Sequence, residues 1–114
     1  MKINELAAKY NLTKPTLRYY EQEGIITNVP RVNGIRDYSD EHVRIIEFVT
    51  CMRSAGMSIE RLKKYMKLME KPNSINERIA ILNEQKNEVE QKIKDLQSSV
   101  EKLEYKIEVL RKGE

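Results

Sequence analysis

This chain of 114 residues holds one cysteine, one histidine, one phenylalanine and no tryptophan. A single cysteine excludes an internal disulfide and suits a reducing compartment. One Cys and one His do not make a thiolate-rich cage, so metal sensing is disfavoured and no metal is expected. His42, flanked by charge at a helix start, is read as a solvated residue. There is no phosphate-cradling glycine loop, no Ser-His-Asp set and no pair of carboxylates on facing elements, so the chain is not read as an enzyme and needs no cofactor. No signal peptide and no apolar run of membrane-spanning length occur, which leads to the expectation of a soluble, cytoplasmic protein. Hydrophobic residues at 39% against charged residues at 34% point to long exposed helices, not a thick globule.

What the chain has is patterned charge. Residues 1–70 carry twelve Lys/Arg against nine Asp/Glu, while residues 71–114 carry nine of each. The whole excess of +3 therefore lies in the first part. There, Ile3, Leu6, Ala7 and Tyr10 repeat at helical spacing, and a tight turn at Asn11-Leu12 leads to a second helix. Thr13 is placed to cap that helix, Pro15 is tolerated in its first turn, and Gly24 ends it. Asn33-Gly34 then marks a hairpin with arginines on both arms. Helix, turn, helix and basic hairpin make the layout of a winged DNA-binding module.

The candidate contacts follow from that layout. Thr13, Lys14 and Thr16 sit at the amino-terminal end of the second helix, the end that enters a major groove. Arg18 and Tyr19 lack apolar neighbours one turn away apart from Pro15, which leaves them free for bases and phosphates. Tyr20, three residues after Leu17, is either a contact or core. Arg31, Asn33, Arg36 and Tyr38 belong to the wing, where arginine contacts to backbone or minor groove are expected. Tyr38 also fits wing-to-body packing.

Thr16-Leu17-Arg18-Tyr19-Tyr20-Glu21, Gly24-Ile25-Ile26, Pro30-Arg31 and Gly34-Ile35-Arg36-Asp37-Tyr38 resemble, in that order, the amino-terminal signature of the MerR family of bacterial transcription regulators. Two departures stand out: Pro30 and Arg31 are adjacent, and Ile35 stands where the family usually has a wing tyrosine. The resemblance implies a mainly α fold, with a winged helix-turn-helix domain at residues 1–71 followed by a long coiled-coil dimerization helix at residues 74–112. It also implies a homodimer on promoter DNA, with bacterial RNA polymerase as partner, activating by bending and untwisting the duplex. Without the cysteine cluster of the iron–sulfur type, and with no carboxy-terminal drug-binding domain expected, the chain is not read as one of those relatives.

Beyond the wing, Ser39 caps a third helix, with Asp40 and Glu41 in its first turn and Ile45, Ile46, Phe48, Val49 and Met52 as core face. Ser58 caps a fourth, with Ile59, Leu62, Met66 and Met69 on one side. Pro72-Asn73 is a linker, and Ser74 with Glu77 reads as a capping box for the last helix. From there a heptad runs unbroken. Ile79, Lys86, Ile93, Val100 and Ile107 fall at a; Leu82, Val89, Leu96, Leu103 and Leu110 fall at d. Such a stripe, about 55 Å long, needs a second chain. In a parallel pair Lys86 meets Lys86. An antiparallel pair centred between Lys94 and Asp95 sets Lys86 against Leu103 and Gln85 against Lys106, and the like-charge contacts vanish. The antiparallel dimer is therefore favoured.

Cys51 lies about 120° from the centre of the third helix's core face, with Arg44 about two turns earlier. A border position allows exposure, and Arg44 would favour the thiolate. The stretch Ile46–Glu60 also resembles the single-cysteine MerR regulators that respond to aldehydes and other electrophiles (the NmlR and AdhR type). That resemblance implies a sensor thiol at Cys51. The alternatives are an inert structural Cys51 with another effector or none, and a coiled-coil scaffold whose winged domain binds protein.

Overall fold

The computed structural model describes residues 1–113. Its elements run α1 (Ile3–Lys9), α2 (Lys14–Gln22), β1 (Arg31–Val32), β2 (Ile35–Arg36), α3 (Asp40–Ser54), α4 (Ile59–Met69) and α5 (Ile75–Arg111). The expected mainly helical fold with a small wing is present. The molecule is elongated, with extents of 70 × 35 × 19 Å, because α5 projects well beyond the body that the other elements form.

Local chemistry sets each boundary. Asn11 turns the chain between α1 and α2 at φ +54, and the Leu12 N–H reaches back to the Ala7 carbonyl at 2.9 Å. Thr13 Oγ1 accepts the Thr16 N–H at 3.2 Å, satisfying an amide that the first helical turn leaves free. Gly24 ends α2 at φ +77, a region that costs glycine nothing. Asn33 and Gly34 both take positive φ, +53 and +78, which gives the turn whose twist matches a two-residue hairpin. The hairpin pairs Arg31 with Arg36 and Val32 with Ile35, and the Tyr38 N–H extends it to the Met1 carbonyl at 2.7 Å.

The core sits where α1, α2, α3 and α4 converge. Leu6, Leu17, Ile46, Val49 and Leu62 are fully buried. Burial of each such side chain stabilises by about 1.5–3 kcal/mol relative to exposure. Met66 joins this core, but Met69 is 46% exposed, contrary to its expected place on the packed side of α4. Position 69 falls in the last turn, where it lines the cavity between α3 and α4 and stays open to solvent. Tyr65, absent from the expected face, is buried and stacks on Phe48 with ring centroids 4.8 Å apart.

The entry to α5 also departs from the expected capping box. Ser74 is buried, its hydroxyl donates to the Leu68 carbonyl, and no side-chain cap forms. Asn73 at φ +61 turns the chain so sharply that Ser74 faces back onto α4. Glu77 pairs instead with Lys71 at 3.2 Å. The first turns of α5 belong to the body: Ile81 and Leu82 pack against the core, and Gln85 is 4% exposed. Gln85 accepts from Arg61 Nη1 at 2.7 Å and donates to the Ala55 carbonyl at 2.8 Å, tying the ends of α3 and α4 to α5. Its expected partnership with Lys106 across a dimer is therefore not open to it.

Candidate nucleic-acid interface

Lys14 and Arg18 lie one turn apart on the solvent face of α2, with Tyr19, 40% exposed, beside them. Neither cation makes an ion pair among the described residues, nor does Arg31 on the wing. Thr13 is exposed at the helix start and Thr16 is half-buried behind it, their hydroxyls 2.8 Å apart. At the wing tip Asn33 is exposed, and so are Val32 and Ile35. Helix and hairpin thus each present exposed polar and cationic residues, with Val32 and Ile35 as an apolar part of the wing.

Three expected contacts are not on that face in the expected way. Tyr20 is 5% exposed and packs in the core, because the helical period turns it with Leu17 towards α1. Tyr38 is 2% exposed, and its hydroxyl donates to Glu21 Oε1 at 2.9 Å. Burial, then that hydrogen bond to an anion, pushes its phenol well above the ordinary tyrosine range. Arg36 is half-buried and its Nε donates to Glu21 Oε2 at 2.7 Å. Arg36 sits directly opposite Arg31 in the hairpin, and two like charges facing each other destabilise a strand pair. Glu21 removes that conflict. It holds one arginine to the body and leaves the other outside. Tyr20, Tyr38 and Arg36 thus build the frame that presents the exposed residues.

His42 is part of the same frame and not a free solvated group. Its Nε2 lies 2.7 Å from the Thr27 carbonyl, which can only accept, so that nitrogen carries the proton. Its Nδ1 then accepts from the Ser39 N–H at 3.2 Å and closes a capping box in the role usually taken by an acid. The sequence signal was there: Ser39 followed three positions later by a side chain with an acceptor.

Cys51 is exposed on α3. Glu47, one turn before it, accepts from the Tyr10 hydroxyl and pushes that phenol up to about 12. Arg44 lines a cavity of about 350 Å³ between α3 and α4, beside Phe48, Tyr65 and Met69.

Along α5 the expected seam is solvent-facing in its distal part. Ile93, Leu96, Leu103 and Leu110 are each at least 60% exposed, with Ile79, Val100 and Ile107 nearly half exposed. Leu82, Lys86 and Val89 line an apolar cavity of about 380 Å³ with Met52 of α3 and Ala55 just after it. The stripe therefore continues sideways onto the body. No helix among the described residues is long and apolar enough to cross a membrane.

Comparison with known proteins meets this geometry at both ends. The family model described as MerR HTH family regulatory protein matches residues 1–68, and that described as MerR, DNA binding matches residues 43–105. The HTH-type transcriptional regulator AdhR of Bacillus subtilis is 44% identical over 88 residues, covering 75% of this chain and 63% of AdhR. The chain thus spans less than two thirds of that relative. Among solved structures, HiNmlR, a MerR family regulator lacking the sensor domain and bound to promoter DNA, superposes with a TM-score of 0.80 at 27% identity, covering 97% of this chain and 90% of that one. A MerR family transcriptional regulator from Bacillus thuringiensis gives 0.76 at 28% identity, covering 94% and 96%.

Proposed function

Because this chain belongs to the MerR family of helix-turn-helix regulatory proteins, we propose that it is a homodimeric transcription regulator that binds a two-fold symmetric promoter site and distorts it. One observation carries the reading: Lys14, Arg18 and Arg31 make no ion pair among the described residues, on two elements that a braced frame holds together. Preorganised cations without partners are what a phosphate backbone requires. Lys14 and Arg18 would enter a major groove with Thr13, Thr16 and Tyr19, while Arg31 and Asn33 flank it. The likeness to a promoter-bound relative supports the same face. RNA polymerase would act at the same promoter, gaining access as the duplex is bent and untwisted.

The dimer would form along α5. Residues 1–71 would carry the DNA contacts and residues 74–112 the pairing. In the antiparallel register Leu103 of the partner subunit lies over Lys86 and Ile107 of the partner subunit over Leu82, which covers the cavity that Met52 and Ala55 share with α5. That contact would link the spacing of the two half-sites to the position of α3.

Cys51 would be the sensor. Its exposure supports the access that an electrophile needs, and it stands on the helix whose neighbouring residues meet the dimer seam. Thiol modification there would bias the dimer between two DNA geometries. The test of the DNA-binding reading is selection from a random duplex pool. Recovery of a two-fold symmetric consensus that the Arg18→Ala variant no longer enriches is expected, and recovery of no consensus contradicts it.

A further inference from the structure

A second basic surface lies away from the candidate DNA face. α4 carries Lys64 and Lys67 one turn apart, and Lys71 follows in the connection to α5; the three rim a cavity of about 370 Å³ whose floor is Leu68 and Ile81. The other cations of α4 are engaged: Arg61 with Glu88 at 2.9 Å and Lys63 with Glu23 at 3.3 Å. Lys64 and Lys67 make no ion pair among the described residues, and Lys71 meets only an exposed Glu77. Lys64 and Lys67 are like charges three residues apart on the helix, an arrangement that an acidic partner would relieve.

We propose that this groove between α4 and α5 is a docking site for an acidic peptide segment of a partner protein, with carboxylates over the lysines and apolar side chains on Leu68 and Ile81. Charge complementarity fixes the sign of the partner, and the apolar floor separates a peptide from a duplex. A phosphate backbone has nothing to place on Leu68 and Ile81; a segment that mixes acids with leucines satisfies both surfaces. The groove is free in the proposed dimer, because Ile81 is a c position, on the far side of α5 from the a and d seam. It also has a direction. An adjoining cavity shares Lys64 and Ile81 but ends at Glu60 and Glu84, so the acidic end of the peptide belongs over Lys67 and Lys71.

A fluorescein-labelled peptide repeating Glu-Glu-Leu provides the probe, with polyglutamate and a Lys-Lys-Leu repeat as controls. The leucine-containing acidic peptide should bind the full chain and shift the amide resonances of Lys64, Lys67, Leu68 and Ile81. The double charge reversal K64E/K67E should weaken it about tenfold or more, and both controls should bind at least that much more weakly. Operator affinity and its salt dependence should be unchanged in the same variant. No binding, equal binding to wild type and variant, equal binding of the controls, or shifts confined to the α5 seam would overturn the proposal. A K64E/K67E variant with lost DNA affinity and a shallower salt slope would overturn it too, by giving these lysines to the duplex.

Discussion

Arg36 reaches across from the wing to Glu21 near the end of α2, its Nε donating to Oε2 at 2.7 Å. Tyr38 takes the other oxygen of the same carboxylate at 2.9 Å. One acid therefore ties helix and wing into a single body, so the spacing between Arg18 and Arg31 is set before DNA arrives. Glu21→Ala should leave the buried Tyr38 hydroxyl unpartnered and free Arg36. A loss of about 1–3 kcal/mol in stability is expected, with weaker operator binding although no direct contact is removed. Thermal melting and DNA titration of this variant check both parts.

Arg18 and Tyr20 are two residues apart and should behave oppositely. Arg18→Ala should weaken operator binding by about 1–3 kcal/mol and relax sequence preference without changing the melting temperature. Tyr20→Ala empties a core site and should cost about 3–5 kcal/mol of stability. Equal melting of the two variants would contradict the burial assigned to Tyr20.

The seam prediction avoids truncation, since removing α5 would also take Gln85 and Leu82 from the body. Leu96 and Leu103 are more than 60% exposed in the single chain, so replacing both by Glu leaves the fold intact. Sedimentation should show a monomer, and binding to a full palindrome should fall because the second half-site becomes a separate bimolecular event. Lys86→Leu should act in the other direction, strengthening the dimer while loosening its orientation.

Glu88 gives the pH prediction. The hydrogen bonds that it accepts from Arg61 hold its carboxyl below the usual glutamate range. A depressed acid stabilises fully above its unfolded value and loses that contribution as pH falls through the folded one. Carbonyl chemical shifts should therefore report Glu88 titrating below the exposed glutamates, and Arg61→Ala should return it to their range.

Cys51→Ser keeps size nearly constant and removes the nucleophile. Because Cys51 is exposed, the substitution should leave melting, dimerization and DNA affinity unchanged while abolishing any response to an aldehyde. A response that survives in the variant would return Cys51 to an inert role.

Where local rules decide, the sequence was legible. Thr13, Ser39 and Ser58 cap as read, and Asn33-Gly34 makes the hairpin turn. The heptad of α5 was equally plain, since a period needs no partner to be visible. What escaped was tertiary. Nothing local says that Glu21 will meet Arg36 and Tyr38, which lie 15 and 17 residues away, so the bonds that tie these wing residues to the body were not foreseen. Gln85 escaped for the same reason, its partners lying 24 and 30 residues back on two helices. Ser74 misled because the capping-box pattern does not record the left-handed turn at Asn73.

The most direct test of a DNA-binding regulator is the salt dependence of its affinity for the selected operator. Each phosphate neutralised by a lysine or arginine releases counterions, so log K should fall linearly and steeply with log salt, by about 0.9 per contact. The account predicts such a slope, shared between two half-sites and reduced by about one unit per subunit when Arg31 is replaced by Ala. A flat salt dependence, with Arg31→Ala indistinguishable from wild type, would contradict it and favour a winged domain that binds protein.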